Sequence, residues 1–201
     1  MSAKKQIILA SKSPSRAMIL SGAGVSFDIV PAHIDESKIK VSGLKKGLTP
    51  LQIGAALAKE KALRISRENP LAIILGADQI LEFEGEIFDK PKTMTEARQT
   101  LCRLSGKTHK LIACVALAEG GEIIHELQEE ANLTMLDFSD EFLNDYLNEA
   151  GPDVLTSVGA YQLEGLGAKL FAAVEGDFFT VLGLPLTKTL EALQKAGARV
   201  E

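Results

Sequence analysis

The chain contains no tryptophan, only two cysteines and three histidines, and its acidic residues outnumber its basic ones. Each shortage excludes something. Cys102 and Cys114 form no CxxC pair, so no disulfide framework is expected. His33, His109 and His125 are scattered without HExxH spacing, which argues against a His/Cys zinc site. The net charge of −5 lacks the basic excess of a broad nucleic-acid surface. A small phosphorylated ligand stays open, because a few Lys and Arg converging on one place suffice. No apolar run reaches the roughly 20 residues of a membrane-spanning helix. The first run, Ile7-Ile8-Leu9, is cut by Ser11-Lys12-Ser13-Pro14 too early for a signal peptide. The expected location is cytoplasmic.

What is present is a chain of 201 residues, 46% hydrophobic and 24% charged. That composition fits a globular protein of one or two lobes with a sizeable core. The stretch Ile74-Leu75-Gly76-Ala77-Asp78-Gln79-Ile80-Leu81 stands out. Leu71 to Leu75 reads as a buried strand. Asp78 then falls just past its end, between small residues, where burial of a charge is costly without a partner. Two readings fit: a site floor where a charge meets a ligand or metal, or a turn Asp bonded to its own backbone.

Gln6 to Ala10 reads as a first strand. Ser13 as N-cap and Pro14 at the first helical position open a short helix that Gly22 or Gly24 stops. Its N-terminus, with Lys12 and Arg16, is able to hold a phosphate, although an ordinary strand-to-helix turn has the same appearance. Phe27 to Val30 reads as a second strand. Asp35-Glu36 after it is either a hard-oxygen Mg²⁺ site or a solvated acidic turn. Val41 to Leu48 is basic and contains glycine, and is expected to be a mobile loop. Thr49-Pro50 opens a helix to about Arg67, with Lys61 on it.

Phe83 to Ile87 reads as a hairpin tip, and Asp89-Lys90-Pro91-Lys92 as a rigid basic turn. Thr95 is expected to cap a helix ending at Gly106. Thr108 to Ala118 and Glu122 to Leu136 read as an antiparallel pair hinged at Gly120-Gly121. Gly106-Lys107-Thr108 imitates a Walker loop, but the position five residues earlier is Leu101 and a strand follows, so the nucleotide-kinase reading fails. Ser139 to Ala150 reads as a helix and residues 157–167 as a glycine-rich loop. Leu170 to Val174 and Phe178 to Leu182 read as strands, and Leu184-Pro185 starts a last helix.

Taken together, Leu9-Ala10-Ser11-x-Ser13-Pro14-x-Arg16, Gly76-Ala77-Asp78-Gln79, Lys90-Pro91, Leu104-Ser105-Gly106, Gly159-Ala160-Tyr161, Glu164-Gly165-x-Gly167, Glu175-Gly176-Asp177 and Val181-x-Gly183-Leu184-Pro185 resemble the Maf-type nucleotide pyrophosphatases, in order and over nearly the whole chain. The resemblance implies one domain over residues 1–201. Its fold would be α/β, a long, mixed, twisted sheet flanked by helices, in two lobes with a cleft, similar to inosine triphosphatases. It implies hydrolysis of a nucleoside triphosphate to the monophosphate and pyrophosphate, with a divalent cation, Mg²⁺ or Mn²⁺. Asp78 would be catalytic. Ser11, Arg16, Lys61 and Lys90 would bind the phosphates, and Glu36 and Asp78 the metal. Gln79 and Glu164 resemble the branch associated with 7-methyl-GTP, whereas the dTTP/UTP branch carries Thr and Gln there. Ser15 departs from the Arg or bulky residue usual at its position, and bears on base choice. A carboxylate at Glu164 suits the N–H donors of a guanine edge. The resemblance is compatible with a homodimer and with no nucleic-acid or membrane partner. The competing expectation is a non-enzymatic nucleotide sensor regulating cell division.

Overall fold

The computed structural model describes residues 5–198. Among the described residues, seven strands form one mixed sheet in the order β2 (Asp28–Ile29), β1 (Ile7–Leu9), β3 (Ile73–Phe83), β5 (Thr108–Glu119), β6 (Glu122–Met135) and β7 (Phe171–Glu175), with β4 (Glu86–Phe88) paired to β3 as well. The chain divides into two compact units. The first comprises Met1–Gln79, Ile112–Glu129 and Gly183–Glu201, and the second Ile80–Leu111 and Glu130–Leu182. No helix among the described residues is long and apolar enough to cross a membrane.

In the first unit, β1 (Ile7–Leu9) is buried throughout and pairs in parallel with β2 (Asp28–Ile29) on one side and β3 (Ile73–Phe83) on the other. Such unbroken apolar runs are what parallel strands covered on both faces require. Between β1 and β2, α1 (Pro14–Gly22) starts as expected, with the Ser13 hydroxyl accepting from the Arg16 amide. Because β1 sits between β2 and β3, chain order and spatial order part company beside it. In open α/β sheets the carboxyl end of such a strand is where ligands bind.

Two helices fill the return from β2 to β3. The first, α2 (Glu36–Lys45), occupies much of the segment expected to be a loop. Asp35 caps it, accepting from the Lys38 amide at 2.9 Å. Gly43 lets it lie close to the next helix, since a Cβ there would come within 2.8 Å of Ile53 Cγ1. The weak helical signal in residues 41–45 is thus overridden by packing. The second, α3 (Pro50–Ser66), opens with the Thr49/Gln52 capping box and buries Ile53, Leu57, Ala58, Lys61, Ala62 and Ile65 on one face.

That face lies against β3. Gly76 has no room for a side chain: a Cβ would stand 2.3 Å from the Ala58 carbonyl oxygen and 2.6 Å from the Ala62 nitrogen. The strand itself begins two residues later than expected and continues well past Asp78. Asp78 is therefore inside a buried strand rather than after it. Two long strands follow in the sheet order, β5 (Thr108–Glu119) and β6 (Glu122–Met135), joined by Gly120-Gly121 with both glycines at positive φ. β3, β5 and β6 each supply residues to both units.

The second unit is built around one apolar cluster that includes Leu81, Leu101, Leu133, Leu143 and Tyr161. Its hairpin turn at Glu84-Gly85 joins β3 to β4 (Glu86–Phe88). The cap of α4 (Met94–Leu104) is Thr93 rather than Thr95, because the Thr93 hydroxyl is the one that reaches the Glu96 amide. α5 (Asp140–Ala150) is capped by Ser139 as expected. β7 (Phe171–Glu175) pairs antiparallel with β6. The strand expected over 178–182 is instead a single helical turn, α6 (Phe178–Val181), because Asp177 accepts from the Thr180 amide and winds the chain. In the first unit, α7 (Leu186–Lys195) closes the described fold.

His109 is buried on β5 with its Nε2 2.6 Å from the Tyr161 hydroxyl, and its Nδ1 has no hydrogen-bond partner among the described residues. Burial pulls its pKa from 6.5 down to about 4. The unfolded chain takes up this proton near pH 6.5 while the folded imidazole stays neutral to about pH 4. Between those values the unfolded state binds more protons, so stability is full above the window and falls as pH drops through it. Urea unfolding should show a loss of about 2 kcal/mol from this group between pH 7 and pH 5. His109→Gln should lose that increment and not the decline shared by the carboxylates; an unchanged slope would refute the assignment.

Candidate active site

The side chains singled out in the first unit converge. Ser11 follows β1, Arg16 sits in the first turn of α1, Glu36 begins α2, Lys61 lies on α3 and Asp78 on β3. Residues two apart on a strand share a face, and residues three and four apart on a helix do. Gly76 and Asp78 therefore look the same way, and so do Ala58, Lys61 and Ala62. The close approach at Gly76 delivers Lys61 to Asp78: Nζ stands 2.6 Å from Asp78 Oδ1. The same Nζ is 2.8 Å from Glu36 Oε1. Asp78 and Lys61 are buried, and Glu36 is about half exposed.

Arg16 is 8% exposed. Its Nε donates to the Gly183 carbonyl at 2.9 Å and its Nη1 to Ser11 Oγ at 3.0 Å. Ser11 Oγ also accepts from the Ser13 amide at 3.2 Å. With both lone pairs so engaged, the Ser11 O–H is left to donate. A guanidinium has five N–H donors, and two of those on Arg16 are used within the described residues. Burial pulls the Arg16 pKa below its ordinary value, and the charges of Asp78 and Glu36 oppose that pull. For Glu36, burial favours the neutral acid, but the bond to Lys61 and the charges of Lys61, Lys40 and Arg16 prevail and hold the carboxyl below its ordinary value.

Gly183 carries no role in the sequence reading beyond its place in a motif. Here its carbonyl fixes the Arg16 guanidinium, its φ is +91°, and a Cβ on it would lie 3.5 Å from the Gln79 side chain. Only the local Gly-Leu-Pro pattern hinted at it. The helix terminus contributes less than expected, because Pro14 has no N–H and the Arg16 amide is spent on Ser13. Ser15 lies in the same turn of α1, partly buried.

Lys90 and Glu164 belong to the second unit and are exposed. Lys90 follows β4, and Glu164 lies in the turn closed by the Gly165 amide bonding the Gln162 carbonyl at 3.1 Å.

Chemically, the first-unit cluster pairs two carboxylates with two cations, so its formal charge is zero. Asp78 Oδ2 makes no hydrogen bond among the described residues, whereas Oδ1 is held by Lys61. A buried pair is costly to break by removing one partner. Lys61→Met should therefore destabilise the protein by about 3–5 kcal/mol in urea unfolding at pH 7. Asp78→Asn should cost less, because it leaves no buried anion and the ammonium keeps Glu36. Equal losses for the two variants would show that the cost does not come from leaving the Asp78 anion uncompensated.

A family model described as Maf-like protein matches residues 6–196. The chain is 45% identical over 193 residues to a nucleoside triphosphate pyrophosphatase of Paramagnetospirillum magneticum, covering 96% of this chain and 100% of that one. It is 41% identical over 190 residues to a 7-methyl-GTP pyrophosphatase of Brucella abortus, covering 94% of this chain and 96% of that one. Among solved structures, a HAM1 protein from Coxiella burnetii matches with a TM-score of 0.42 and 15% identity, over 67% of this chain and 74% of that one. With a family match spanning almost all the described residues, and relatives above 40% identity over nearly all their length, this chain belongs to the Maf-like protein family.

Proposed function

We propose that the chain hydrolyses a nucleoside triphosphate to the monophosphate and pyrophosphate, and that its substrate is a modified nucleotide such as 7-methyl-GTP. The observation that carries this reading is the buried carboxylate of Asp78, held by Lys61 at 2.6 Å in a cluster with Glu36 and Arg16. The names of the relatives support the reaction class, and Gln79 with Glu164 supports the purine.

Arg16 would clamp phosphate oxygens with its remaining N–H groups, a planar fork suited to that shape. Ser11 would donate its hydroxyl to the same anion. Asp78 Oδ2 would accept a proton from a water as its oxygen bonds to a phosphorus of the α–β linkage. The α–β bridging P–O bond breaks, and the leaving pyrophosphate carries off the electron pair. Proton transfer to one side chain contributes only about 10²–10⁴-fold, so Asp78 alone does not account for a fast reaction.

A divalent cation suits the donor set. Two hard carboxylate oxygens, Asp78 Oδ1 and Glu36 Oε1, converge on one point. Among the described residues no group of three or more His, Cys, Asp or Glu is arranged to hold a metal. Mg²⁺ is commonly bound by one or two carboxylates, with substrate phosphates completing its shell. When bound there, the ion would draw charge from phosphate oxygens and acidify a water. Lys90 is proposed as a further phosphate contact, and Ser15, Gln79 and Glu164 as determinants of base choice.

A pyrophosphate-release screen of 7-methyl-GTP, GTP, UTP, CTP and dTTP tests the reading. The expected result is release from the panel, fastest with 7-methyl-GTP. In the same assay a folded Asp78→Asn variant should turn over roughly 100-fold more slowly or worse. No pyrophosphate from any nucleotide would discard the reaction, and wild-type turnover in Asp78→Asn would discard the base.

A further inference from the structure

The Lys61 ammonium occupies the point at which the two carboxylate oxygens of the site converge, 2.6 Å from one and 2.8 Å from the other. One cation thus satisfies both anions, and the Arg16 charge brings the cluster's formal total to zero only because Lys61 is there. We propose that Lys61 is an exchangeable counter-ion: in the free protein it holds the carboxylate pair, and it passes to the polyphosphate when a divalent cation takes that pair. The proposal rests on the reading of this site as one that binds a nucleotide with a metal.

Three features support it. A lysine ammonium is a point charge on a flexible four-carbon stem, able to swing between partners without a fixed fork geometry. Its third N–H is not used by any described residue. The formal charge of the cluster also rises from zero to about +2 with the exchange. Two carboxylates and one divalent cation are neutral together, so the two protein cations, Lys61 and Arg16, are then left uncompensated and face the anion. Conversely, an anion that draws Lys61 away leaves two bare carboxylates for the metal. Metal and polyphosphate therefore strengthen each other's binding, and the coupling is reciprocal. In the free protein neither carboxylate is bare, so metal alone binds weakly.

The alternative is a permanent strut, in which Lys61 anchors Asp78 in every state. The two differ in the effect of removing the ammonium. A strut, once lost, leaves metal affinity unchanged or lower. A counter-ion, once lost, exposes two carboxylates and raises it.

The test uses Mn²⁺ alone, without nucleotide, measured by calorimetry and by the EPR signal of the free ion. Lys61→Met should bind Mn²⁺ about tenfold or more tightly than the wild type, with a larger rise in Tm on Mn²⁺ addition. Lys61→Gln, whose amide still donates to Asp78, should behave the same way and covers the case in which Lys61→Met does not fold. Affinity equal to or below wild type in a folded variant would overturn the proposal. In the wild type, the side-chain NH₃⁺ resonance of Lys61 in ¹H–¹⁵N spectra should move as Mg²⁺ is raised to saturation, and a resonance that stays put would also overturn it. None of these readouts involves turnover. A protein that shows the exchange but releases no pyrophosphate keeps this inference and loses the assigned reaction; the converse result does the opposite.

Discussion

The first unit is organised around one ammonium shared by two carboxylates. Asp78 sits in the interior of a buried strand, where an unpaired charge would cost several kcal/mol. The Lys61 contact at 2.6 Å makes that position tenable. Arg16 adds its field and is itself anchored by a backbone carbonyl and a hydroxyl rather than by a carboxylate. The arrangement keeps a strong cation next to acids without letting it collapse onto them. It also favours the ionised form of Glu36, whose pKa lies below its ordinary value.

What brings these groups together is a seam of small residues. With Gly76 on the strand and Ala58 and Ala62 on the helix, the backbones approach to a distance that no side chain at 76 would allow. The periodicities of strand and helix then place Asp78 and Lys61 one step further along the same two faces. The apolar packing and the ionic pair are therefore one construction. The strand order puts this construction beside the carboxyl end of β1, from which Ser11 and Arg16 follow directly.

Much of this was legible in the sequence, for physical reasons that can be named. Ser13-Pro14, Thr49-Pro50 and Ser139 are strong start signals, and the helices begin there. Ordered motifs pointed to the family and singled out Asp78, Lys61, Glu36, Arg16 and Ser11, which the fold gathers into one cluster. Other local readings failed because tertiary contacts or side-chain caps outweighed composition, as Thr93 in place of Thr95 shows at α4. Residues 41–45 are helical because Asp35 caps them and Gly43 packs on Ile53. Phe178-Phe179 look like a strand, yet Asp177 winds them into a helical turn. Asp78 looked like a strand terminator because its compensating lysine lies 17 positions away in sequence. The Gly183 carbonyl was invisible, since a backbone acceptor leaves little trace in residue type.

The account depends on the Gly76 seam positioning Lys61 against Asp78, and a double-mutant cycle between Gly76 and Lys61 measures that directly. Unfolding free energies of wild type, Gly76→Ala, Lys61→Met and the double variant give the coupling. If the seam holds the ion pair, adding a Cβ at 76 disturbs both the packing and the pair, and the double variant loses less than the two single losses together, by about 1 kcal/mol or more. Losses that add within about 0.5 kcal/mol would show that the seam and the ion pair are independent, and would contradict the central claim.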